Sequence, residues 1–86
     1  MELGQVVITK AVGNTAVENH LFYQFVFDSL ERYKNRDWGD LPNEDKRMND
    51  SDDDRIVARY NSTYGDIYII TEWDCSYTTI LFTNEY

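Results

Sequence analysis

Three apolar runs near the end of the chain, separated by five residues and then by three, limit the fold more than any other feature. Residues 55–60 (RIVARY), 66–73 (DIYIITEW) and 77–82 (YTTILF) are rich in Ile, Val, Tyr and Thr and alternate with a period of two, as strands in a half-buried sheet do. The connections, residues 61–65 and 74–76, are short enough for hairpins, so the spacing predicts an antiparallel meander. On its middle strand Ile67, Ile69, Thr71 and Trp73 share one face, with Tyr68, Ile70 and Glu72 on the other.

Upstream, residues 5–9 (QVVIT) form a β-branched run that ends before Gly13 and reads as a first strand. Thr15 and Glu18 have the spacing of a capping box. Phe22, Phe25, Val26, Ser29, Leu30 and Tyr33 then recur at intervals of three and four, with Gln24, Asp28, Glu31 and Arg32 opposite them. One helix is expected from about residue 16 to about residue 34. Leu21 and Phe27 widen its apolar arc, which suits packing on a sheet. Asn35 offers a left-handed stop, and Trp38-Gly39-Asp40 reads as a turn. Pro42 suits the first turn of a shorter helix that ends near Met48 or Asn49. The order β-α-α-β-β-β predicts an α+β fold in which an antiparallel sheet, its last three strands a meander, carries the helices on one face.

The 86 residues suit one domain, 1–86, with seven Tyr, four Phe and two Trp to fill a core. The opening MELGQVVITK lacks the apolar run of a secretory signal, and no later run approaches the ~18 apolar residues of a membrane span. With Cys75 as the single cysteine, no internal disulfide can form, which suits a reducing compartment; a cytoplasmic location is expected.

Catalytic chemistry finds little support. His20 is the single histidine and sits in the first turns of the expected helix, with no spacing that pairs it with a serine or with Cys75. Cys75 has no basic neighbour in sequence to lower its pKa. A calcium loop begun at Asp50 would place Arg55 where Gly is needed and Asn61 where Glu is needed. Glycines 4, 13, 39 and 65 stand alone, so no phosphate loop is present. Neither enzyme activity, a metal nor a cofactor is expected.

Charge is the informative property. Sixteen acidic residues against eight basic ones give a net charge of −8. Direct binding to nucleic acid or to an anionic membrane is opposed by that field, whereas a basic protein has the complementary sign. The connecting segment 37–54 holds eight acids (Asp37, Asp40, Glu44, Asp45, Asp50, Asp52, Asp53, Asp54) against Lys46 and Arg47, and so carries −6 of the −8. Carboxylates three or four apart on a helix are roughly 5–6 Å apart at Cβ, a scale comparable with successive phosphates of a nucleic acid strand. The run is either a solvated loop or a surface for a basic partner. Trp38 and Tyr64, beside acidic residues in turns, either anchor such an interface or fold back onto the core.

The motifs VVIT, SLERY, DWGDL, EDKRMND, RIVARY, IYIITEWD and TTILFTNEY, which together cover nearly the whole chain, carry a resemblance. In that combination the chain resembles a family of small acidic proteins of plasmids, conjugative elements and phages in Firmicutes. DWGDL with the following ED and ND, and the ending IITEWD, TTILF and EY, are the specific parts. Residues 51–54 (SDDD) stand where that family has a longer connection, making this chain more acidic. The resemblance implies a protein similar in kind to anti-CRISPR or anti-restriction inhibitors, which would occlude the basic nucleic-acid-binding surface of a CRISPR or restriction effector. Asp52, Asp53 and Asp54 would stand in for phosphates, with Trp38 or Tyr64 as the apolar anchor. An accessory protein of a mobile element that binds a basic regulator or transfer protein is the alternative. The exposed last residues, 83–86, could pair with another chain along a strand edge, so a homodimer is possible although nothing in the sequence argues for it.

Overall fold

The structure is a computed structural model and describes residues 1–50 and 55–86. In chain order its elements are β1 (Gln5–Ile8), α1 (Lys10–Glu18), α2 (His20–Lys34), α3 (Asn43–Asp50), β2 (Ile56–Tyr60), β3 (Ile67–Thr71) and β4 (Tyr77–Phe82), followed by a 3-10 turn at Thr83–Glu85. The α+β class and the closing meander agree with the sequence. β2 pairs antiparallel with β3, which pairs antiparallel with β4, and Ala58, Ile69 and Ile80 lie in one row across them.

The sheet is not wholly antiparallel. Its order is β1-β4-β3-β2, and β1 runs parallel to β4, with Val6 opposite Thr78 and Ile8 opposite Ile80. No hairpin joins these two strands, so nothing forces them to be antiparallel. Gly4 permits the approach: at φ 62° it lies so close to the β3–β4 turn that a Cβ would come within 2.2 Å of the Cys75 carbonyl oxygen. β3 stops at Thr71, which leaves Trp73 exposed in the turn instead of on the core face.

The expected single helix is two. Thr9 caps α1 by accepting from the Val12 amide at 3.3 Å, while Thr15 lies mid-helix and donates back to the Ala11 carbonyl at 3.0 Å. Asn19 breaks the run. Its backbone is extended, and its side-chain oxygen accepts from the amides of Leu21 and Phe22, starting α2. At the far end the left-handed residue is Arg36 (φ 60°), not Asn35. The Asp37 amide donates to the Arg32 carbonyl and the Arg36 amide to the Tyr33 carbonyl, the two bonds of a Schellman stop.

α1 and α2 cover the sheet face formed by Ala58, Tyr60, Ile67, Ile69 and Ile80, burying Val12, Phe22 and Tyr33. Phe22 stacks on Phe82 with ring centroids 5.4 Å apart. α3 does not join them. It lies at the β2 edge, where Leu41, Asp45 and Met48 form a groove with Val57 and Tyr68, residues of the opposite face. The expectation that every helix shares one face therefore fails for α3, whose mostly polar sequence leaves no broad apolar stripe to bury. The last residues do not form a strand edge either. Glu85 accepts from the Phe82 amide and the Thr9 hydroxyl, and Tyr86 folds back onto Tyr68. Among the described residues no helix is long and apolar enough to cross a membrane.

A chain of buried hydroxyls ties the layers together. The Thr78 hydroxyl donates to the Leu3 carbonyl at 2.7 Å, so Thr71 must donate to Thr78 (2.7 Å) and Tyr33 to Thr71 (2.6 Å). Burial pushes the Tyr33 phenol up to about 12, which keeps it a proton donor at neutral pH. The order of donation predicts unequal costs. Thr78→Val strands both the Leu3 carbonyl and the Thr71 proton and should cost about 2–3 kcal/mol, whereas Tyr33→Phe removes only the terminal donor and should cost about 1 kcal/mol. Urea unfolding of the two variants measures the difference.

Candidate partner-binding site

The segment 37–50 is built around the outer edge of β2. In an antiparallel pair alternate residues turn their backbone groups away from the neighbouring strand, and on β2 these are Val57 and Arg59. Each is satisfied from the acidic segment. The Arg59 amide donates to the Trp38 carbonyl (3.4 Å), and the Arg59 carbonyl accepts from the Asp40 amide (2.7 Å), a short parallel bridge centred on Gly39. Gly39 is required there, because at φ 73° a Cβ would meet the Arg59 carbonyl oxygen at 2.2 Å. The Asn61 amide, the next outward group, donates to the Asp40 carboxylate at 2.9 Å.

Val57 is served by a side chain. The Asn49 carboxamide donates to its carbonyl (2.9 Å) and accepts from its amide (3.2 Å), reproducing one rung of a ladder from the last turn of α3. Asn49 is buried, and this double bond anchors α3 to the sheet. The Glu44 and Asp45 carboxylates lie in the first turn of α3, where the helix dipole favours negative charge.

The turn before the bridge is held by an ion pair. Arg32 grips both Asp37 oxygens at 2.9 and 3.3 Å, and the Gly39 amide donates to the same carboxylate at 3.1 Å. The hydrogen bond from Arg32 is the main reason that the Asp37 carboxyl is held below the usual carboxylate range. Beneath them, Tyr60 donates to the Asp37 carbonyl at 2.6 Å, and burial raises its pKa above the ordinary phenol value.

The sequence-derived site residues therefore divide. Trp38 is 3% exposed and meets Tyr33 edge to face at 5.4 Å, so it belongs to the core and offers a partner almost no surface. Its role as an interface anchor is corrected: the bridge to Arg59 turns its indole inward. The charge of Asp37 is compensated by Arg32. Asp40, Glu44 and Asp45 are exposed and form no ion pair among the described residues. Tyr64 is exposed in the β2–β3 turn. Asp50 ends α3, and Asp52, Asp53 and Asp54 lie outside the described residues. Arg32, Gly39 and Asn49, which shape this edge, are not among the sequence-derived site residues: Gly39 reads only as part of a turn and Asn49 only as a helix end, and the one hint is a glycine between Trp38 and Asp40.

Asp45 also rims the groove of ≈ 280 Å³ between α3 and the sheet, whose floor includes Tyr68 and Tyr86. The two rings meet edge to face at 5.5 Å, Arg59 lies over Tyr68, and Arg55 lies over Tyr86 while donating to its hydroxyl. Among the described residues no three His, Cys, Asp or Glu side chains converge as metal ligands would.

Asn49→Ala leaves both backbone groups of Val57 without their partner and should cost about 2 kcal/mol in denaturant unfolding. Asp37→Asn keeps an acceptor for Gly39 and removes only the charge, so at neutral pH and low salt it should cost no more than about 1 kcal/mol, the range of exposed ion pairs. Because the folded pKa of Asp37 is depressed, its share of stability is complete above the ordinary value of 3.8 and disappears as pH falls through the folded pKa. Unfolding curves of wild type and Asp37→Asn should therefore converge on the acid side.

No protein-family model, curated protein or solved structure matches the chain.

Proposed function

We propose that this protein binds a basic, nucleic-acid-binding protein through segment 37–54 and blocks it by occupying the surface where phosphates would lie. What supports this is the display of Asp40, Glu44 and Asp45: exposed, in no ion pair among the described residues, and carried on backbone fixed to the β2 edge by Asn49 and the Gly39 bridge. Carboxylates held on a rigid support lose less conformational entropy on binding than the same residues on a free loop. Asp50 and the run Asp52, Asp53 and Asp54 add to the negative charge of the segment. The mobile-element resemblance directs the choice of target toward a CRISPR or restriction effector, with steric and electrostatic occlusion as the mechanism. Tyr64 takes the role of apolar contact that Trp38 cannot fill, since only Tyr64 is exposed.

The test is calorimetric binding of the pure protein to a panel of such effectors, with and without target DNA, over a range of salt. Binding should weaken with salt and be displaced by DNA. Glu44→Lys with Asp45→Lys should weaken it at least about 10-fold, corresponding to ~1.4 kcal/mol, with circular dichroism showing that the variant is folded even though the helix dipole no longer favours the first turn of α3. Binding that ignores both salt and DNA, or an absence of binding across the panel, would contradict occlusion and favour an accessory role toward a basic regulator or transfer protein.

A further inference from the structure

The two edges of the sheet are finished differently. β2 is closed by Asn49, Gly39 and Asp40, whereas β1 is left open. Gln5 and Thr9 donate inward to the Ser76 and Ile80 carbonyls at 3.2 and 3.0 Å. The alternation of the ladder then turns the N–H and C=O groups of Val6 and Ile8 outward, and no partner for them exists among the described residues. Soluble proteins protect such edges with charge, proline, bulges or a covering element. The strand QVVI contains neither a charge nor a proline.

Apolar surface continues from this edge. Val6 and Ile8 are 41% and 51% exposed and open into a groove of ≈ 180 Å³ walled by Val12 and Ala16 of α1 and by Tyr23 and Phe27 of α2. Tyr23 and Phe27 are themselves 58% and 50% exposed. The neighbouring acids of α2 are engaged on its outer surface, Asp28 with Gln24 at 2.9 Å and Glu31 with Lys34 at 3.0 Å.

We propose that a second copy of this chain covers the edge, β1 pairing antiparallel with β1 across a two-fold axis perpendicular to the sheet. The outward groups are self-complementary. With Val7 on the axis, Val6 of each copy exchanges two hydrogen bonds with Ile8 of the other, giving four new bonds and one continuous sheet of eight strands. Both pairs of helices then lie on the same face, and Tyr23 and Phe27 meet their counterparts above Val6 and Ile8.

Charge permits this occupant. Asp37, Asp40, Glu44 and Asp45 lie on the segment fixed beside β2, at the far edge of the sheet, so two copies joined through β1 keep these acids at opposite ends. The antiparallel register also sets the Lys10 end of one strand beside the Glu2 end of its mate. The four exposed apolar side chains offer on the order of 400 Å² per copy, about half of the ~800 Å² per partner of a standard interface, which suits a micromolar or weaker dimer.

Sedimentation equilibrium from about 1 µM to about 1 mM tests this directly. Wild type should pass from monomer to dimer within that range. Ile8→Lys should raise the dissociation constant at least about 10-fold. Val6→Pro, which removes an outward N–H and alters one apolar side chain of the patch while sparing the inward bonds of Gln5 and Thr9, should do the same, with circular dichroism showing that either variant is folded. Val17→Lys, exposed on α1 and outside the groove, should dimerise like wild type. A monomer at the highest concentration, an assembly larger than a dimer, or dimerisation unchanged in a folded Ile8→Lys or Val6→Pro variant would overturn the proposal.

Discussion

An open sheet of four strands has two outer rows of backbone N–H and C=O groups, and those rows must find partners or remain solvated. Much of the molecule follows from how the β2 row is satisfied. To reach it the chain must leave α2 in a left-handed turn at Arg36, bury Trp38, pass Gly39 against Arg59 and return through α3 to place Asn49 on Val57. The acidic stretch is thus part of the fold before it can be part of an interface.

That origin separates residues of the same chemistry. Asp37 and Asp40 are both acids in one turn, yet Asp37 is neutralised by Arg32 while Asp40 uses its carboxylate on a backbone amide and keeps its charge toward solvent. Changing either perturbs the β2 edge. Glu44 and Asp45 are attached to the same support without hydrogen bonds to the sheet, so they can be altered to probe binding with the fold intact. The interior holds an ordered set of its own: the buried hydroxyls of Tyr33, Thr71 and Thr78 form a directed chain that ends on the Leu3 carbonyl, linking α2, β3, β4 and the segment leading into β1.

The legible parts of the sequence were those governed by short-range geometry. Connections of five and three residues force antiparallel neighbours, so the meander could be read; the parallel place of β1 could not, because some seventy residues separate β1 from β4 and carry no directional signal. Thr15 and Glu18 imitate a capping box, but the hydroxyl of Thr9 had the better position, and the polar Asn19 stopped the helix without breaking its apolar period. The acidic segment was visible as charge. Its division into structural and displayed carboxylates was not, since Asp37, Asp40 and Asp45 differ only in contacts made through folding. Trp38 shows the same ambiguity: an aromatic between two acids in a turn has one composition whether it faces solvent or the core.

Amide hydrogen exchange on one dilute sample tests most directly whether the acidic segment is a rigid edge piece. The amides of Val57, Arg59 and Asn61 should be protected by their partners in segment 37–50, while those of Val6 and Ile8 exchange freely. Rapid exchange at Val57, Arg59 and Asn61 would mean that the segment leaves the edge in solution. That result would contradict a fixed acidic surface.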